Sequence, residues 1–156
     1  MGSSSTVTTQ PLAGFPSPFL NRFIRTFYPQ RIYSSQRRLF TAAQLSDTQY
    51  HDVAQTTMNH LVDQLEVLGE EIELPEYDVE YASGVLTLTL GHHGTYVINK
   101  QPPNKQIWLS SPFSGPKRYD YDTAHAVWFY QRDGTTLGDL LNQELETIFH
   151  RPVEVL

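Results

Sequence analysis

The chain has no cysteine among its 156 residues. That excludes a disulfide framework, a thiolate nucleophile, a Cys-ligated zinc and an iron–sulfur cluster held on its own thiolates. No apolar run approaches the roughly 18 residues of a membrane-spanning helix. Absent too are a G-x-S-x-G nucleophile turn, a phosphate loop, a dinucleotide fingerprint, and the H-E-x-x-H or H-x-x-x-H spacings of tight transition-metal sites. A Ser/His/Asp triad is assembled in space and leaves no spacing to test, and nothing positive points to one. What remains is a chain with 39% hydrophobic and 12% aromatic residues and a net charge of −6. That is enough for one domain with a core of its own. The acidic balance argues against nucleic acid as the main partner, since phosphate binding needs a positive field.

Charge of one sign is missing from one end. Residues 1–46 contain no Asp or Glu but carry Arg22, Arg25, Arg31, Arg37 and Arg38, whereas all 17 acidic residues lie from Asp47 onward. An Arg-rich, Ser-rich, acid-free leader reads as a mitochondrial transit peptide, and residues 18–27 place apolar side chains at helical spacing between arginines. A basic arm that binds a surface is the alternative. The expected division is a leader over 1–46 and a domain over 47–156, with cleavage after Tyr33 or near Arg37-Arg38.

In the domain, Ser46 or Asp47 is placed to cap a helix that runs to about Leu68, with Gly69 as its stop signal. Tyr50, Val53, Ala54, Met58, Leu61, Leu65 and Leu68 form its apolar stripe. Six short strands are expected over 77–82, 85–90, 95–99, 105–110, 117–121 and 127–130, separated by Gly- and Pro-containing turns. A second helix, capped by Thr135 or Thr136, runs to about His150 with Leu137, Leu140, Leu141, Leu145 and Ile148 inward. Loops this short force antiparallel pairing. The expected fold is an α+β two-layer sandwich, with both terminal helices on one face of a mainly antiparallel six-stranded sheet. The other sheet face stays open to solvent.

Alternation assigns side chains to the faces. With Ile107 and Leu109 inward, Gln106, Trp108 and Ser110 point to the open face, and Asn99 does so from the preceding strand. An exposed aromatic among amides and hydroxyls has the composition of an interface hot spot. The shifted register would make Trp108 core. Ten carboxylates and no Lys or Arg lie between Asp47 and Asn99. On the first helix, Asp52, Asp63, Glu66 and Glu70 share one face opposite the apolar stripe. Such a run is either an ordinary solvated face or a surface for cations or a basic partner. Exposed carboxylates suit Mg²⁺, Mn²⁺ or Fe²⁺, bound weakly and exchangeably. His92-His93 fills a turn, where a chance pair and a ligand pair read alike.

Residues 94–112, with Ile98-Asn99-Lys100-Gln101-Pro102-Pro103-Asn104-Lys105-Gln106-Ile107-Trp108-Leu109 at their centre, are followed by Ser114-Gly115-Pro116-Lys117-Arg118-Tyr119-Asp120. Together they closely resemble the signature of the frataxin family. Ser83-Gly84-Val85-Leu86-Thr87-Leu88, Tyr77-Asp78-Val79 and Tyr50-His51 are similar as well, so the resemblance covers about 47–155. With the acid-free leader it implies a eukaryotic, fungal-like, mitochondrial-matrix member with the same helix–sheet–helix fold.

The resemblance implies a role in iron–sulfur cluster assembly. Carried over by position, weak Fe²⁺ binding falls on His51, Asp52, Asp63, Glu66, Glu70, Glu76 and Asp78. Docking on a complex of cysteine desulfurase and scaffold protein, with acceleration of persulfide sulfur transfer, falls on Asn99, Gln101, Lys105, Gln106, Trp108 and Arg118. It also implies iron chaperoning to the scaffold or to ferrochelatase for haem synthesis, and weak ferroxidase activity. The competing expectation is an iron-storage ferroxidase that detoxifies Fe²⁺ as an iron-dependent oligomer, where the first reading expects a monomer. The sequence departs from the family pattern at Gln55, Thr56, Asn59 and Val67, positions that are acidic in many members. This thins the ridge in its N-terminal half and favours docking over storage.

Overall fold

The computed structural model describes residues 39–156. The expected leader helix over 18–27 and both candidate cleavage sites lie outside the described residues, except for the edge of the second.

Helix α1 (Asp47–Glu71) begins where Ser46 accepts from the Gln49 backbone N–H while the Gln49 side chain accepts from the Ser46 N–H. This reciprocal cap satisfies two of the donors that a helix start leaves free. Tyr50, Ala54, Met58, Leu61, Leu65 and Leu68 are buried along it. Six strands follow: β1 (Tyr77–Ala82), β2 (Val85–Leu90), β3 (Thr95–Gln101), β4 (Gln106–Ser111), β5 (Gly115–Asp122) and β6 (Val127–Tyr130). They form one antiparallel meander in the order β1-β2-β3-β4-β5-β6. Helix α2 (Leu137–Phe149) is capped by Thr136 and ends at His150, whose backbone is left-handed.

One core cluster contains the α1 stripe, Leu86, Leu88 and Leu90 of β2, Tyr96 and Ile98 of β3, Ile107 and Leu109 of β4, Tyr119 of β5, Trp128 of β6, and Leu137, Leu140, Leu141 and Leu145 of α2. Both helices therefore lie on the same sheet face, as the alternation required. Trp128, on the edge strand β6, packs against α1, with its ring edge-on to Tyr50 and its indole N–H donated to Thr57 Oγ1 at 2.9 Å. The C-terminal tail closes the layer: Val153 and Val155 are buried, and the Val155 N–H reaches Asn142 Oδ1 at 2.8 Å.

Gly69 does not stop α1, which runs two residues further. Its missing side chain serves a contact instead. A Cβ there would lie 2.4 Å from Cε1 of Tyr77, whose hydroxyl donates to the Leu65 carbonyl at 2.5 Å. The glycine lets β1 approach the helix.

Candidate functional site

Strands β3, β4 and β5 carry the central rows of the open face. Register sets Asn99 opposite Trp108 and Trp108 opposite Arg118, with Val85 of β2 opposite Asn99. The next row holds Gln101 and Gln106, and Gln106 donates to Asp120 Oδ1 at 3.0 Å. Trp108 donates its indole N–H to Gln106 Oε1 at 2.8 Å, and the Arg118 guanidinium sits 4.3 Å from its ring centroid. Asp120 thus orients the Gln106 amide, the amide orients the indole, and the cation covers the ring. A half-buried tryptophan is held rigidly, outside the core, on a face with no helix over it. Such a side chain loses little entropy on contact, which suits a hot spot. Val85 and Ser110 extend the exposed surface around it.

Five of the six expected docking residues gather here: Asn99, Gln101, Gln106, Trp108 and Arg118. Asn99 donates to Gln101 at 3.3 Å, joining the two rows. Lys105 does not join them. Its left-handed backbone ends the short 3-10 turn Pro102–Asn104, and its ammonium turns to the start of α1. There it donates to the Leu45 carbonyl and pairs with Asp47 at 3.3 Å. Sequence reasoning missed Asp120, although the cross-strand register alone would have placed it opposite Gln106.

The acidic residues divide between two sides. On α1, Asp52, Thr56, Asn59, Asp63, Glu66 and Glu70 follow at steps of four and three and are all exposed. They form one stripe opposite the core. Two neutral residues interrupt it, leaving about 16 Å along the axis between Asp52 and Asp63. His51 stands beside Asp52 at its N-terminal end, with its ring edge-on to Tyr50. Asp78 and Glu80 do not belong to this stripe. Tyr77, Val79 and Tyr81 pack inward, so alternation sends Asp78 and Glu80 to the open face. Glu76, with φ of 62°, lies in the turn between the two. The seven expected ligands wrap the β1 edge rather than converging. Among the described residues no three His, Asp or Glu side chains group closely enough to hold a metal ion.

Gln55 shows what the neutral replacements do. Its Oε1 accepts from Lys100 Nζ at 2.6 Å and from the Tyr81 hydroxyl at 3.4 Å, and its Nε2 donates to Asn59 at 2.7 Å. The amide ties α1 to β1 and β3 where a carboxylate would have given an ion pair.

Comparison with known proteins gives a consistent result. Residues 43–151 match the family model of the frataxin-like domain. The mitochondrial frataxin homolog of Schizosaccharomyces pombe is 52% identical over 110 residues, 70% of each chain. The mitochondrial frataxin of Arabidopsis thaliana is 43% identical over 111 residues, 71% of this chain and 59% of the relative. Among solved structures, the trimeric frataxin of Saccharomyces cerevisiae complexed with ferrous superposes with a TM-score of 0.57 at 48% identity. The match covers 65% of this chain and 88% of that one.

Proposed function

Because this chain belongs to the frataxin-like domain family, we propose that it is a mitochondrial protein of iron–sulfur cluster assembly. In this reading it docks through its open face on a cysteine desulfurase–scaffold complex and accelerates persulfide sulfur transfer. The observation that carries the proposal is the Arg118, Trp108, Gln106 and Asp120 arrangement, which fixes an indole on an uncovered sheet face. The chain's own residues do no covalent chemistry in this role. The sheet offers the apolar anchor and its polar frame, while the α1 stripe offers negative charge to a basic surface of the partner and steers the encounter.

Ferrous iron is cargo in this account. The exposed carboxylates on α1 and around the β1 edge are hard oxygen donors, and without convergence they hold Fe²⁺ weakly and release it readily. The ferrous complex of the yeast relative supports iron contact in this family. A storage ferroxidase would need carboxylates brought together around iron, and the stripe interrupted at Thr56 and Asn59 favours the docking reading.

Replacing Trp108 by Ala tests the anchor. Loss of a central aromatic hot spot costs about 2 kcal/mol or more, roughly a thirtyfold rise in Kd for the desulfurase–scaffold complex. Tm should move by only a few degrees, since the ring lies outside the core. Unchanged affinity in a folded variant would remove the open face from the account.

A further inference from the structure

Charge alone puts the domain boundary at residue 46, yet the fold begins earlier. Residues 40–45 lie across the β5–β6 end as a strap. The Thr41 N–H donates to Asp122 Oδ2 at 2.8 Å, and the Ala43 N–H donates to the Tyr121 carbonyl at 2.8 Å. Leu45 is buried in the main core, and its carbonyl receives the Lys105 ammonium.

Phe40 covers a second apolar site. Alternation along β6 sends Trp128 into the core and Phe129 to the opposite face. Phe129 is nevertheless only 4% exposed. The Phe40 ring lies 5.3 Å from it and meets the His125 ring edge-on at 5.3 Å. Beneath them Asp122, 2% exposed, accepts from the Thr41 and His125 backbone N–H groups and pairs with His125 Nδ1 at 3.2 Å. Without the strap, a buried carboxylate loses a donor and Phe129 loses its cover. Leu39, by contrast, is 90% exposed. The last arginines before it are Arg37 and Arg38, and the next basic residue is Lys100.

We propose that residues 40–45 are a permanent strap of the mature domain, so that proteolytic maturation by an arginine-reading endopeptidase cuts between Arg31 and Phe40 and not at the charge boundary. The position of the cut rests on the mitochondrial reading above; the strap does not. Its retention also keeps Phe129 covered at the margin of the Trp108 face, so the docking surface ends at Asp120.

Two experiments on the full chain separate the parts. Limited proteolysis with thermolysin, followed by mass spectrometry, should trim the chain to a start no later than Phe40. Bonds within 41–46 should be cut at least about tenfold more slowly than those before residue 39. Phe40→Ala and, independently, Asp122→Asn should each move cutting into 41–45. A wild-type product that starts at Leu45 or later and forms as fast as the leader is lost would overturn the strap. Import of the full chain into isolated mitochondria, with sequencing of the product, should give a first residue between 32 and 40. A start at Thr41 or beyond overturns the proposed window. An uncleaved chain overturns it together with the mitochondrial reading, while the thermolysin result still decides the strap.

Discussion

At the scale of single residues, the structure repeatedly spends side chains on fixing other side chains. Asp120 fixes Gln106, Gln106 fixes Trp108, and Asp122 fixes the strap. The Asp122 carboxyl is held down at about 2, first by the Thr41 backbone N–H and then by donors from His125 and Ala124. A lowered carboxyl stabilises the fold above its ordinary range near 3.8 and stops doing so as pH falls toward 2. The buried tyrosines act at the other end of the scale. Burial pushes the Tyr50 hydroxyl up to about 12 and drives Tyr77, Tyr96 and Tyr119 higher still. Glu144 adds to the effect at Tyr96 and Tyr119. Unfolded, these hydroxyls ionise near 10, so the folded state keeps their full contribution below pH 10 and loses it above. Thermal melts between pH 8 and 12 should show a flat Tm to about pH 10 and an accelerating fall beyond it. A Tm that begins to fall before pH 9 would contradict this assignment.

At the scale of elements, periodicity made almost everything legible. A six-member stripe at steps of three and four, and the strict Leu86, Leu88, Leu90 alternation, leave only one face for each element to bury. Gly69 was misread because a helix-ending glycine and a glycine that admits a tyrosine ring look the same in one dimension. Gly69→Ala distinguishes them. Helix propensity alone would favour Ala by about 1 kcal/mol, but a Cβ 2.4 Å from the Tyr77 ring forces the strand away. The net result should be a loss of about 1–3 kcal/mol in chemical denaturation. A stabilised variant would restore the stop-signal reading.

The α1 stripe gives a second test at this scale. Thr56→Glu with Asn59→Asp would make it continuous from Asp52 to Glu70. New like-charge pairs at turn spacing cost about 0.2–0.5 kcal/mol each at low salt. Tm in dilute buffer should therefore fall slightly, and Mn²⁺ should restore it more than the same ionic strength of NaCl does. Equal rises in the two salts would mark the stripe as a merely solvated surface.

At the scale of the molecule, the sheet separates two chemistries. One side carries α1 with its carboxylates; the other carries the anchored indole, with Asp78 and Glu80 along its β1 margin. Sequence alternation identified the open face, Trp108 and three of its polar neighbours from spacing alone, because a one-residue slip would have buried Thr87 and Thr89 in place of three leucines. Two features escaped it. The turn of Lys105 toward Asp47 depends on a left-handed residue at the end of a 3-10 turn, and side-chain reach there has no periodic signature. The strap escaped because Phe40 and Thr41 sit in an acid-free segment whose composition speaks of targeting, and their partners Phe129 and Asp122 are some eighty to ninety residues away.

In the proposed role this domain docks on a sulfur-transfer complex through the Trp108 face. The most direct test of that role is the anaerobic rate of sulfide production by an active cysteine desulfurase–scaffold complex, with and without the chain beginning at Leu39. The wild-type chain should accelerate sulfide production clearly, and Trp108→Ala should abolish the acceleration. A rate that the wild-type chain leaves unchanged, or that Trp108→Ala raises equally well, would contradict the docking role.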